Sequence, residues 1–287
     1  MRTVRTVADL RAALAPARRA GRTIGLVPTM GAFHAGHLAL MRAARSECDV
    51  VVVSLFVNPT QFGEAADLAG YPRDEARDAE LAEREGVDVL FAPPVEEVYP
   101  PGFSTTVRVA GVSEPLEGAR RGAAHFDGVA TVVTKLLNMV QPDVAWFGQK
   151  DAQQAAVVRR LVSDLDLPVR IAVGETVRED DGLALSSRNA RLDEEERARA
   201  VALSRALRAA RAAVAEGERT AAAVRDAARA AMEPYGVQPE YLEVVSPDTF
   251  APVERVEGEA LVAVAARVGP ARLIDNTLIT TNGRPAE

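Results

Sequence analysis

Five short runs of β-branched and apolar residues recur through the first 175 positions, and helix-like stretches separate them. The runs are Thr23 to Val27, Val50 to Phe56, Val87 to Phe91, Val144 to Phe147 and Val169 to Val173. Between them, apolar residues take helical spacing near His37 to Arg45, Glu75 to Glu85 and Val129 to Val140, and again over Ala152 to Leu165 after the fourth run. Strands alternating with helices are the signature of a parallel sheet wrapped by its crossovers. The expectation is therefore an α/β fold, a Rossmann-like parallel sheet with helices on both faces. In such sheets ligands collect at the carboxyl ends of the strands.

The pattern changes after Glu175. From there to Leu192 the apolar periodicity is lost, and Asp180, Asp181, Gly182, Ser186, Ser187, Arg188 and Asn189 gather. This places a domain boundary between 175 and 176, giving domains 1–175 and 176–287. Asp193 followed by Glu196 reads as a capping box opening one long helix to Ala215. Runs at Glu240 to Val245, Leu261 to Val268 and Ala271 to Ile274 then read as strands of a smaller α+β C-terminal domain.

Composition excludes several classes. The net charge of −7 over 287 residues argues against general affinity for nucleic acid, which needs clustered Lys and Arg. Cys48, the single cysteine, rules out an internal disulfide and fits a reducing, cytoplasmic setting. The N-terminal segment lacks the apolar stretch of a signal peptide, and nothing is long and apolar enough to suggest a membrane partner.

The segment Met30-Gly31-Ala32-Phe33-His34-Ala35-Gly36-His37 follows the first strand run and opens a helix. A helix N-terminus offers unpaired N–H groups and the positive end of the dipole, so it favours anions. Two of the chain's three histidines fall in this HxGH turn, three apart and able to share a helix face. Imidazoles there suit a nucleotide phosphate better than zinc, because zinc helices space two histidines four apart and add a carboxylate.

Lysine use is also informative. Of 34 basic residues only Lys135 and Lys150 are lysine. Lys150 lies in Gly148-Gln149-Lys150-Asp151, a strand-to-helix turn where a compact ammonium could meet phosphate. Lys135 sits in an apolar helical run and reads as a side chain snorkelling from a helix edge. Leu185-Ser186-Ser187-Arg188 adds two hydroxyls and a guanidinium in a loop suited to a leaving pyrophosphate.

Taken together, PTMGAFHAGH, FVNPTQFG, YPRD, LEGARRGAAHFDGV, FGQKDAQQ and LALSSRN resemble, in order and spacing, the pantothenate synthetases, AMP-forming pantoate/β-alanine ligases of the HxGH nucleotidyl-transferase superfamily. The resemblance covers nearly the whole chain. It implies ATP as substrate with Mg²⁺, a pantoyl adenylate intermediate, a C-terminal lid domain, a homodimer, and a place in pantothenate and coenzyme A biosynthesis. It implies an ATP site over Met30 to His37, with His34 and His37 on phosphate and His37 as proton donor. Gly148, Gln149, Lys150 and Asp151 would hold the nucleoside, Val177 would meet adenine by its backbone, and Leu185, Ser186, Ser187 and Arg188 would close over the phosphates. Gln61 and Gln154 would hold pantoate, and Asp78 is a weaker magnesium candidate.

Two departures from the family pattern stand out. Gln149 occupies a position where the family usually has glutamate. The spacing from Arg120-Arg121 to His125 is one residue longer than the family's, and absorbing the excess in Gly122-Ala123-Ala124 makes Arg121 the functional arginine. Two other readings share the HxGH turn: a nucleotidyl transferase that stops at AMP or CMP transfer, and an ATP-sensing module without turnover.

Overall fold

The computed structural model describes residues 1–63 and 68–281, which form two compact units. The first comprises Met1–Gly148 with Gln153–Glu175. Its sheet contains β1 (Arg2–Val4), β2 (Ile24–Thr29), β3 (Val50–Leu55), β4 (Val89–Phe91), β5 (Val144–Gly148) and β6 (Arg170–Gly174). Neighbours pair in parallel, in the order β1-β4-β3-β2-β5-β6. The five expected strands are present, and β1 is an addition at the edge. Strand order runs outward in opposite directions from β2 and β5, so the switch point of the sheet lies where β2 ends.

The helices of this unit are α1 (Val7–Arg19), α2 (Ala35–Glu47), α3 (Glu75–Arg84), α4 (Val95–Val98), α5 (Glu117–Arg121), α6 (Ala123–Val140) and α7 (Ala152–Asp164). Alternation along the strands decides which face each covers. Val27, Val51 and Val53 point to one face, where Leu40, Met41 and Ala44 of α2 and Ala82 of α3 bury them. Leu26 and Val52 point to the other and are fully buried. There α6 meets β2 and packs on α1, whose apolar positions Leu10 and Leu14 are also buried.

The second unit comprises Gln149–Ala152 and the chain from Thr176 onward. The turn 149–152, which the sequence sets among the first domain's loops, thus clusters with the C-terminal part. Helices α8 (Glu194–Ala200), α9 (Ala202–Ala215) and α10 (Ala221–Ala230) accompany an antiparallel sheet, β7 (Pro239–Val245), β8 (Glu259–Val268) and β9 (Ala271–Thr280), in that order. Leu203, Leu207 and Val224 join Val262 and Val264 in its core. Each such side chain contributes roughly 1.5–3 kcal/mol on burial. The capping box forms as expected: Asp193 accepts from the Glu196 N–H at 2.8 Å, and Glu196 accepts from the Asp193 N–H at 3.1 Å. The helix it starts is not continuous, because Val201 separates α8 from α9. Among the described residues no helix is long and apolar enough to cross a membrane.

Candidate active site

Where β2 ends, the backbone turns sharply. Gly31 has φ +89° and Ala32 φ +54°, the latter a left-handed conformation that costs an L-residue roughly 1–2 kcal/mol. Asp78, only 1% exposed on α3, holds this turn in place. One of its carboxylate oxygens accepts from the Ala32 N–H and the other from the Phe33 N–H, both at 2.8 Å. Phe33 fills the core beneath.

His34 then caps α2. Its Nδ1 accepts from the Gly36 N–H at 3.2 Å, and the His37 Nδ1 accepts from the His34 N–H at 3.4 Å. The rings lie 4.2 Å apart between centroids, so the helix presents both together. A neutral imidazole whose Nδ1 accepts carries its proton on Nε2, which makes each ring a hydrogen-bond donor at its far edge. Gly36 is required by this folding back, because a Cβ there would lie 2.9 Å from the His34 ring.

Gln61 joins the same turn from the carboxyl end of β3. It ends a short 3₁₀ turn, Pro59–Gln61, that Asn58 caps. The buried Asn58 donates to Gln61 Oε1 at 3.0 Å and to the Gly128 carbonyl at 3.2 Å, and accepts from the Tyr99 hydroxyl at 2.8 Å. Gln61 Nε2 in turn donates to Met30 Sδ at 3.1 Å. From α6, His125 Nδ1 donates to the Gln61 carbonyl at 2.9 Å, leaving Nε2 to accept from Arg121 at 3.1 Å. Arg121, Gln61 and Met30 thus form one connected array. Gly122, with φ +82°, breaks α5 from α6.

In the first turn of α7 the two glutamines differ. Gln153 is buried and saturated, accepting from the Glu117 N–H and donating to the Val112 and Pro115 carbonyls. Gln154 is half-buried beside it.

The second unit carries the remaining candidates. Gln149, Lys150 and Asp151 form a 3₁₀ turn directly after Gly148. The Val177 carbonyl accepts from the Leu185 N–H at 3.0 Å. Ser186 caps the turn Ser187–Arg191 by accepting from the Arg188 N–H at 3.3 Å. Asn189 ties this loop down, donating to the Ala184 carbonyl and to Glu179. Glu179 also accepts from both Nη atoms of Arg197, which holds that guanidinium still further on its charged side.

Among the described residues no group of three His, Cys, Asp or Glu side chains could hold a metal ion. Asp78, the magnesium candidate, has both oxygens engaged by backbone N–H groups in the interior.

Sequence reasoning named Asn58 and His125 only within motifs, without their contacts, and missed Tyr99 and Asn276. Asn58 lies inside the NPTQ motif, but its role as a cap is visible only once the Pro59 turn is seen. Lys135 sits with Nζ 4.5 Å from the Phe103 ring centroid and 6.0 Å from that of Tyr99, so its snorkelling stem ends on aromatic faces.

A parallel sheet whose switch-point strand feeds an imidazole-bearing helix N-terminus defines a nucleotide-binding α/β enzyme of the HxGH class. Residues 2–278 match the family model described as pantoate-beta-alanine ligase, and the chain belongs to that family. It is 56% identical over 274 residues to the pantothenate synthetase of Cereibacter sphaeroides, covering 95% of this chain and 98% of that one. With the pantothenate synthetase of Moorella thermoacetica it shares 52% over 286 residues, covering 98% and 100%. The crystal structure of pantothenate synthetase from Thermus thermophilus superposes with a TM-score of 0.91 at 49% identity, covering 96% and 99%. The Francisella tularensis pantoate-beta-alanine ligase, complexed with beta-gamma ATP and beta-alanine, gives 0.79 at 32%, covering 97% of each chain.

Proposed function

We propose that this chain joins pantoate to β-alanine at the expense of ATP, through a pantoyl adenylate. In the first step a pantoate carboxylate oxygen attacks the α-phosphorus, and the bond to the bridging oxygen breaks to release pyrophosphate. In the second, the β-alanine amine attacks the acyl carbon, AMP leaves, and the amine proton passes to solvent or a nearby base. The observation that carries this reading is the pair of imidazoles fixed as Nε2 donors at the N-terminus of α2. Donors held in advance stabilise charge that grows on phosphate oxygens without reorganising during the reaction.

The other residues take roles that suit their chemistry. Met30 to His37 form the phosphate cradle, with His37 the proton donor. The Gln61 amide binds pantoate: its Nε2 rests on a thioether, a weak acceptor that a hydroxyl or carboxylate oxygen replaces readily. Gln154 and Arg121 serve the same substrate. Gly148, Gln149, Lys150, Asp151 and Val177 hold the nucleoside and its phosphates, and Leu185, Ser186, Ser187 and Arg188 cover the leaving pyrophosphate. A magnesium ion bound to the nucleotide would supply neutralisation of phosphate charge beside Lys150 and Arg188. Holding reactants in line can supply about 7–11 kcal/mol of the barrier without a protein nucleophile. A cytoplasmic homodimer belongs to the same reading, and sedimentation checks the dimer.

Pyrophosphate exchange into ATP tests the reading. Exchange should require pantoate and Mg²⁺ but not β-alanine, because adenylate formation comes first. Equal exchange without pantoate would point to nucleotidyl transfer instead, and no exchange under any condition would point to nucleotide binding without turnover.

A further inference from the structure

We propose that Asn276, in the middle of β9, is the positioning residue for Lys150. An asparagine inside a strand is unfavourable, and Asn276 is buried at 5% exposure, where an unpaired amide would be costly. Each polar group of its side chain is engaged with one turn. Nδ2 donates to the Gln149 carbonyl at 2.9 Å and to the Lys150 carbonyl at 3.0 Å, while Oδ1 accepts from Gln149 Nε2 at 3.0 Å.

Chemistry alone fixes which way this amide faces. The end near two carbonyl oxygens must be nitrogen, since the reverse orientation sets oxygen against oxygen twice. Oδ1 is then bound to face Gln149, and only a donor satisfies it. The amide of Gln149 meets that need, whereas a carboxylate at 149 would oppose an acceptor.

Asn276 is itself held from behind. Its N–H donates to Asp275 Oδ1 at 2.8 Å, and Asp275 is gripped through both oxygens by Arg178, at 2.6 and 3.0 Å. Two consecutive carbonyls pinned to a strand fix the peptide planes on either side of the Lys150 Cα, and so the direction in which its side chain leaves the backbone. A flexible four-carbon stem then starts from one defined point. The inference rests on the reading of Lys150 as a phosphate-contacting group.

A double-mutant cycle on the full-length enzyme tests it, with pantoate-dependent pyrophosphate exchange and thermal melts measured on every variant. Asn276→Ala should lower the exchange kcat by about 10- to 100-fold, as expected when a reacting group drifts by up to an ångström. The KM for pantoate should stay within about twofold. In a Lys150→Ala background the same substitution should change kcat by less than about threefold, because the residue through which it acts is gone. Asn276→Asp, which keeps the shape but turns the two donors into an acceptor, should show the same dependence on Lys150 and carries the test if the alanine variant does not fold. Losses that multiply across the cycle would overturn the proposal, as would Asn276 variants near wild-type kcat while Lys150→Ala is impaired. If Lys150→Ala itself exchanges normally, the phosphate role of Lys150 is wrong and the positioning role falls with it.

Discussion

Replacing Asp78 by asparagine keeps the volume of the side chain and removes one of two acceptors from the turn after β2. In the parent each carboxylate oxygen accepts a backbone N–H at 2.8 Å, from Ala32 and Phe33, in an almost fully buried position. An asparagine can satisfy only one of them and turns its NH₂ toward the other N–H. The lost bond has a charged acceptor, worth about 1.5–3 kcal/mol, and the stranded donor carries a desolvation cost of about 1–3 kcal/mol that overlaps with it. Asp78→Asn should therefore destabilise the first unit by about 2–4 kcal/mol. At about 2–4 °C per kcal/mol, its melting temperature should fall by roughly 4–16 °C. Adenylation should fall as well, since Ala32 is then free to leave its left-handed conformation and the His34 cap follows it. Urea melts beside pyrophosphate exchange, repeated over a magnesium titration, make the check. A variant within about 0.5 kcal/mol of the parent, whose magnesium requirement has risen instead, would refute the reasoning and make Asp78 a metal contact.

His34→Ala and His37→Ala should each slow adenylation by about 10²–10³-fold, measured in single turnovers. His34→Ala should also cost about 1 kcal/mol in denaturant melts, because it removes the α2 cap. Arg121→Ala should slow exchange strongly at saturating ATP while Arg120→Ala shifts it by less than about 0.5 kcal/mol; the reverse ranking would place the functional guanidinium one residue earlier. Burial, with a smaller push from Asp143, raises the Cys48 thiol above its ordinary range. Iodoacetamide at about pH 8, just below the ordinary thiol range, should therefore label it only on unfolding, and rapid labelling of the native enzyme by mass spectrometry would contradict the buried assignment.

The five central strands were legible because parallel strands covered on both faces are nearly continuous apolar runs, as Val50 to Val53 is. The HxGH turn was legible because two of the chain's three histidines fall in it. β1 was not: three residues with one buried side chain, Val4, carry no period. The apolar pattern of the C-terminal strand stops at Ile274 because Asp275 and Asn276 interrupt it, yet β9 runs on to Thr280. Both polar residues are buried only because Arg178 and the 149–150 turn satisfy them, a long-range fact that no local window contains. The same limit hid the contacts of His125, whose two ring nitrogens bridge Arg121 and Gln61 from another helix.

The grouping of Gln149–Ala152 with the chain from Thr176 onward bears on how members of this family can be recombined. A C-terminal fragment cut at 176 loses the carbonyls that the Asn276 amide meets, and a chimera joined there sets one parent's Asn276 against the other parent's side chain at 149. A graft that carries residues 149–152 from the same parent as β9 keeps that match, so two crossovers rather than one define the transferable module.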